Sequence, residues 1–161
     1  MQLTELQKGH SLNTRKIVKF ADGLSREEAL FRPYDQVNNF IWNLGHITMV
    51  RNTLIKILNP TAKLDVYDGE KDLFGNGSAL QANEAYPELS FILEHFVKRG
   101  EIINALAETV SDEYLQQESP IKIGPDPRTN SELLWFFYNH ECEHLGEIKI
   151  LKNLANRLRN A

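Results

Sequence analysis

Apolar side chains return every three to four positions over four long stretches, the spacing that lines one face of an α-helix. The first stretch runs from Leu3 to Leu24, with Leu6, Ile17, Phe20 and Leu24 on one stripe. The second runs from Val37 to Asn59, where Pro60 stops it by removing a backbone donor. The third opens at Pro87, whose fixed φ suits a first helical position, and carries Leu89, Ile92, Leu93, Phe96, Ile103 and Val110 on one face. The fourth begins after Thr129, which forms a capping-box pattern with Glu132, and continues nearly to Leu158. A second box, Ser25 with Glu28, predicts a turn or two of helix ahead of Pro33. Alternating strand patterns with hairpin turns are nearly absent, so the chain reads as all-α.

Four amphipathic helices of comparable length predict a four-helix bundle, one domain over residues 1–161. The connection from Pro60 to Tyr86 is much longer than a helix–helix turn requires. It can cross the length of the bundle, which would let helices two and three run parallel. Its Gly75-Asn76-Gly77 and several acidic residues suggest a surface path, either a tolerated insertion or a lid. No internal repeat or low-complexity segment is visible.

Composition narrows the function. With 18 basic against 22 acidic residues the net charge is −4, which argues against a binder that grips nucleic acid through a basic stripe. No apolar run nears the ~18 residues a membrane span needs. The start, Met1-Gln2-Leu3-Thr4-Glu5, lacks the basic-then-apolar layout of a secretory signal. The single cysteine, Cys142, cannot form an internal disulfide, so a reducing cytoplasm is the expected compartment.

Candidate chemistry lies on the core faces. Placing fourth-helix residues 100° apart groups Leu133, Phe137, His140, His144, Ile148 and Leu151. The same construction on the second helix groups Trp42, His46, Met49, Val50, Thr53 and Ile57. Three histidines therefore sit at the centres of apolar stripes. Burying unpartnered imidazoles costs a few kcal/mol each. A transition metal removes that cost, and a pair at i, i+4 presents both nitrogens to one ion. Hydrogen-bonded core histidines are the plainer alternative. His140-Glu141-Cys142-Glu143-His144 is also a literal H-E-x-x-H, the zinc-protease signature, with Glu141 in the place of the general base. Against that reading, no further ligand follows in a suitable context, no strand is available to hold a peptide, and Glu141 projects toward the stripe's edge.

The segment Phe40-Ile41-Trp42-Asn43-Leu44-Gly45-His46-Ile47, with the later His140-x-x-x-His144-Leu145-Gly146-Glu147-Ile148, resembles the DinB/YfiT-like superfamily of helical-bundle proteins. The resemblance extends over essentially the whole chain. It implies an up-down-down-up bundle and a divalent metal, zinc or nickel, held by His46, His140 and His144. It implies a homodimer, and activities that range from metal-dependent hydrolysis to transfer of low-molecular-weight thiols. Leu145 departs from the basic residue many relatives carry there, which puts the mouth of the site in question.

Other residues take roles around that centre. Glu147 shares the face of the two histidines, either accepting an imidazole N–H, acting as a base, or standing in solvent. Trp42 either fills core volume or stacks on substrate, and Asn43 flanks the same stripe within reach of the metal. His10 is a second-sphere or fourth-ligand candidate near an open helix end, His95 is expected on the surface, and Cys142 points away from the histidines as a partly covered thiol. The expected function is a metal-dependent hydrolase or thiol transferase acting on a small molecule. A non-catalytic stress-response module stapled by metal is the alternative.

Overall fold

The computed structural model describes residues 3–160; Met1 and Gln2, which belong to the reading of the amino terminus, and Ala161 lie outside the described residues. The described residues form seven α-helices and one short 3-10 turn, with a lone β-bridge between Glu118 and Thr129 in place of any strand. The helices are α1 (Leu3–Ala21), α2 (Arg26–Leu30), α3 (Phe40–Leu58), α4 (Glu70–Phe74), α5 (Leu89–Ala107), α6 (Asp112–Gln116) and α7 (Asn130–Arg159).

Helix ends follow the local chemistry. Both capping boxes form, Ser25 with Glu28 and Thr129 with Glu132. Three expected boundaries shift. Gly23 takes a positive φ of 66° just past Ala21, so α1 ends three residues before Leu24. Asn39 caps α3 by accepting from the Trp42 amide at 2.7 Å, so that helix opens at Phe40 and not at Val37. Pro87 stands before the extended cap residue Glu88 and is not itself the first helical position of α5.

Each of α1 and α3 packs on both α5 and α7. Along the α3–α7 seam, Asn43 meets His144 and His46 meets His140, so numbers rise on one helix as they fall on the other. Two apolar clusters fill the interior. One gathers Ile17, Phe40, Trp42, Phe74, Phe96 and Ile148; the other gathers Leu6, Leu54, Ile57, Ile103, Leu133 and Phe137. Between them lies a polar layer containing His10, Asn13, His46, Arg51, Arg99 and Glu141.

The long connection runs mostly over the surface, as its composition suggested, but is pinned inward at three points. Glu70, Phe74 and Tyr86 are all buried, and α4 packs on α3. Arg99, fully buried in α5, ties the connection down by donating to Glu70 at 2.6 Å, to the Thr48 carbonyl at 2.8 Å, and to the Asp65 carbonyl.

Candidate metal centre

The α3–α7 seam brings the three predicted histidines together. His140 Nε2 lies 3.2 Å from His46 Nε2 and 3.2 Å from His144 Nε2. One nitrogen from each of the three can be chosen so that all lie within 4.8 Å of one another. Among the described residues no other His, Cys, Asp or Glu joins the group.

The outer nitrogens settle where the protons are. His46 Nδ1 faces the Phe74 carbonyl oxygen at 2.7 Å, and a carbonyl only accepts, so this nitrogen donates. His144 Nδ1 faces Asn43 Oδ1 at 2.7 Å, and Asn43 Nδ2 is itself spent on the Asn39 carbonyl, which fixes the amide's orientation. Glu147 Oε2 approaches the same nitrogen at 3.3 Å. In neutral rings, His46 and His144 therefore both present bare Nε2 lone pairs inward. A proton on His140 Nε2 can satisfy only one of them, and His140 Nδ1 is buried with no hydrogen-bond partner. A cation at the centre satisfies all three inward nitrogens at once. The spacing suits one, because nitrogens 2.0–2.1 Å from a tetrahedral zinc stand about 3.3–3.4 Å from each other.

Electrostatics disfavour a charge on two of the rings, His140 and His46. Burial, then the neighbouring His144 and His46, push the His140 imidazole down to about 4. Burial also lowers His46, against the opposing pull of its bond to Phe74. The hydrogen bond to His144 holds the Glu147 carboxyl below its ordinary value.

Gly45 explains how a short helix in a distant connection reaches His46. A Cβ at this buried position would stand 2.4 Å from the Phe74 ring, so only glycine admits α4 that close. Trp42, 7% exposed, stacks on the His46 ring with centroids 4.9 Å apart and planes 7° from parallel. Its Nε1 donates to Ser78 Oγ at 3.1 Å. Trp42 thus belongs to the core and also covers one face of a ligand-type ring. Asn43 reaches the centre through His144, as its place on the stripe's flank suggested.

Three expectations about the other residues need correction. Glu141 does not sit at the stripe's edge as a base; it is 2% exposed and turned away from the three imidazoles. Its carboxylate accepts from Arg51 at 2.9 and 3.0 Å and from Asn13 at 3.3 Å, and faces His10 Nδ1 at 3.3 Å. Burial would push this carboxyl up, but the Arg51 charge and the bonds from His10 and Arg51 hold it far below its usual range. A carboxylate so engaged cannot serve as a metalloprotease base, so the H-E-x-x-H reading fails on geometry. His10 is buried, not beside open water, and joins Glu141 instead of the three-histidine group. His95 is only partly exposed, because Asp65 binds its Nδ1 at 2.5 Å. Cys142 is half-buried as expected, and α1 is its cover, with Asn13 Nδ2 at 3.5 Å from its sulfur.

Sequence reasoning missed Arg51, Phe74 and Ser78. Phe74 acts through its backbone oxygen, which carries no side-chain signature. Arg51 is a charge on an apolar helix face, a signal that was present and passed over. None of the three histidines lines the larger cavities of the fold. One of about 340 Å³ is lined by Asn43 and Glu147, both of which touch His144, together with Val37 and Leu151 among others. One of about 840 Å³ is lined by Met49, Thr53, Ser78 and Ile121 among others, and one of about 920 Å³ lies around Arg32, Leu158 and Arg159.

No helix among the described residues is long and apolar enough to cross a membrane. No curated protein matches the chain. The sequence pattern of the DinB superfamily matches residues 11–148, a span that holds all three histidines, the glycine that admits α4, and the connection that orients His46. The chain belongs to the DinB superfamily.

Proposed function

We propose that this chain is a small metal-dependent enzyme in which His46, His140 and His144 hold one divalent ion, zinc or nickel. The observation that carries the reading is the convergence of three Nε2 atoms, two of them left bare because their Nδ1 protons are committed to oxygen acceptors. Such an ion supplies Lewis acidity, enough to activate a water molecule toward an ester or amide, or to hold a thiol as thiolate. The chain's own residues orient the rings. The Phe74 carbonyl and Asn43 Oδ1 fix two tautomers, and Trp42 excludes water from one side of His46. Glu147, with a side chain 56% exposed, stands at the open edge, where it can steady His144 or take a proton.

A set of three protein ligands supports catalysis over a structural staple, because structural zinc sites are normally closed by a fourth. The cavity of about 340 Å³ lined by Asn43 and Glu147, both in contact with His144, supports a small-molecule substrate. Hydrolysis and transfer of a low-molecular-weight thiol need the same three imidazoles, so both remain within this proposal. The register of the seams supports an up-down-down-up bundle forming one domain, and a cytoplasmic homodimer is part of the same reading.

Elemental analysis of the purified native protein tests the metal. One zinc or nickel per chain is expected, and none would overturn the reading. Thiol-dependent assays against electrophiles, run beside a panel of esters, then separate transfer from hydrolysis. A bound ion with neither activity, and a fourth protein ligand on it, would leave a stapled, non-catalytic module.

A further inference from the structure

Resting on that metal reading, we infer that Gly45 is a positioning residue, and that docking of the connection at residues 70–78 through it sets how tightly the centre holds its ion. Every hydrogen bond that orients His46 from behind depends on this stretch. The Phe74 carbonyl takes the His46 Nδ1 proton at 2.7 Å, and Ser78 Oγ takes the Nε1 proton of Trp42, the residue stacked on the same ring. The stretch is seated at one end by the Glu70–Arg99 pair, 2.6 Å apart and almost wholly buried. At the other end it is seated by the Phe74 ring, which no solvent reaches. Three ring atoms of Phe74 lie 2.4–2.6 Å from where a Cβ of residue 45 would be. Real Cβ atoms do not approach that closely. One methyl group on α3 must therefore push α4 outward, and the Phe74 oxygen moves with it.

The consequence follows from linkage. His46 held with its proton on Nδ1 is ready to bind metal through Nε2, whereas a ring released from Phe74 samples other orientations and the wrong tautomer. Metal bound at Nε2 favours the docked connection by the same factor that docking favours metal. The other two imidazoles are not held by this stretch, since His144 takes its orientation from Asn43. The effect enters through one ligand alone.

The test compares zinc affinity of the wild type and Gly45→Ala by competition with a chelating indicator. Helix content is checked by circular dichroism. In parallel, amide hydrogen exchange over residues 70–78 is followed in the wild type with and without zinc. Gly45→Ala is expected to bind zinc at least tenfold more weakly at unchanged helix content. Zinc should slow exchange across 70–78 in the wild type. Gly45→Ala binding zinc as tightly as the wild type overturns the inference. Should that variant not fold, the wild-type exchange decides: an unchanged rate over 70–78 on zinc addition also overturns it. A wild type that takes up neither zinc nor nickel overturns the metal reading itself, a result distinct from both.

Discussion

His140 and Glu141 are neighbours on α7, yet they serve two buried polar clusters of opposite kind. Glu141 faces α1 and α3, where the Arg51 guanidinium, Asn13 and His10 surround it. That cluster carries its own cation, and both carboxylate oxygens have donors, although His10 Nε2 is buried without a partner. His140 faces the α3–α7 seam and meets two more imidazoles whose lone pairs point at its own. That cluster holds acceptors for the outer N–H groups of His46 and His144 and nothing for its inner lone pairs. Burial of polar groups is tolerated in both places, but only one supplies its own cation from within the chain. A carboxylate held by its own guanidinium reads as architecture, and an interior of convergent lone pairs reads as a cation site. The difference can be broken from either side.

The largest effect is expected at the three-histidine cluster. His140 is the nitrogen common to both 3.2 Å contacts, so His140→Ala should abolish metal binding at physiological free-metal levels. Metal-free stability should fall little or rise, since a desolvated, half-unpartnered ring is removed. Elemental analysis of the purified variant checks the first statement, and a urea titration with chelator checks the second. Stoichiometric metal in the variant would remove His140 from the site.

The two clusters also differ in how visible they were from the chain alone. Helical periodicity stood His46, His140 and His144 at stripe centres, and the expected bundle together with the family resemblance turned those stripes toward one another. Both capping boxes located helix starts to the residue. Arg51 and Arg99 escaped because a lone charge on a helix is ordinarily read as exposed, and both proved wholly buried. Their partners lie far off in sequence, 90 residues from Arg51 to Glu141 and 29 from Arg99 to Glu70, and no periodicity encodes such pairs. Glu141 was misplaced for the same reason, since its position on the helical wheel is legible but the arginine waiting there is not. The five-residue α4 is too short for a hydrophobic period, and its decisive group is a main-chain oxygen.

Breaking the Arg51–Glu141 cluster should cost folding and not metal. Arg51→Ala leaves Glu141 charged, buried and without its cation, a change of about 3–5 kcal/mol by the usual behaviour of such pairs. Arg51→Met combined with Glu141→Leu should recover much of that, because both desolvated charges are gone. Urea midpoints of the three chains check this. A loss below about 1 kcal/mol in Arg51→Ala would mean that Glu141 finds another partner, and the contrast between the clusters would weaken.

Acid should sharpen the contrast at intermediate size. His140 titrates at about 4 in the folded chain against 6.5 for an ordinary histidine, so between those values the unfolded chain binds the proton first. Stability of the metal-free protein must then fall as pH falls across this window, and the lowered His46 adds in the same direction. Solvent around the partly exposed rings trims the loss to on the order of 2 kcal/mol. Melting temperatures with chelator at several pH values from 7.5 to 5 check it; that range stays above the window where the lowered carboxyls of Glu141 and Glu147 begin to matter. The slope should flatten in His140→Leu. A flat wild-type profile would mean that the rings are not held neutral.

The smallest effect separates the two carboxylates of α7. Glu147 touches His144 at 3.3 Å as Glu141 touches His10 at 3.3 Å, yet one side chain is 56% exposed and the other 2%. Exposure makes the first contact worth at most about 1 kcal/mol, and water replaces much of what a substitution removes. Glu147→Gln should therefore leave the urea midpoint nearly unchanged and weaken zinc less than about threefold, since Asn43 still accepts the His144 proton. Whatever reaction the centre supports then reports on the residue's role. If Glu147 takes a proton, turnover falls by ~10²-fold while metal content holds; if it only steadies the ring, turnover follows the small change in metal affinity. A large loss of stability in Glu147→Gln would contradict both, because it would require this exposed carboxylate to behave like the buried one six residues before it.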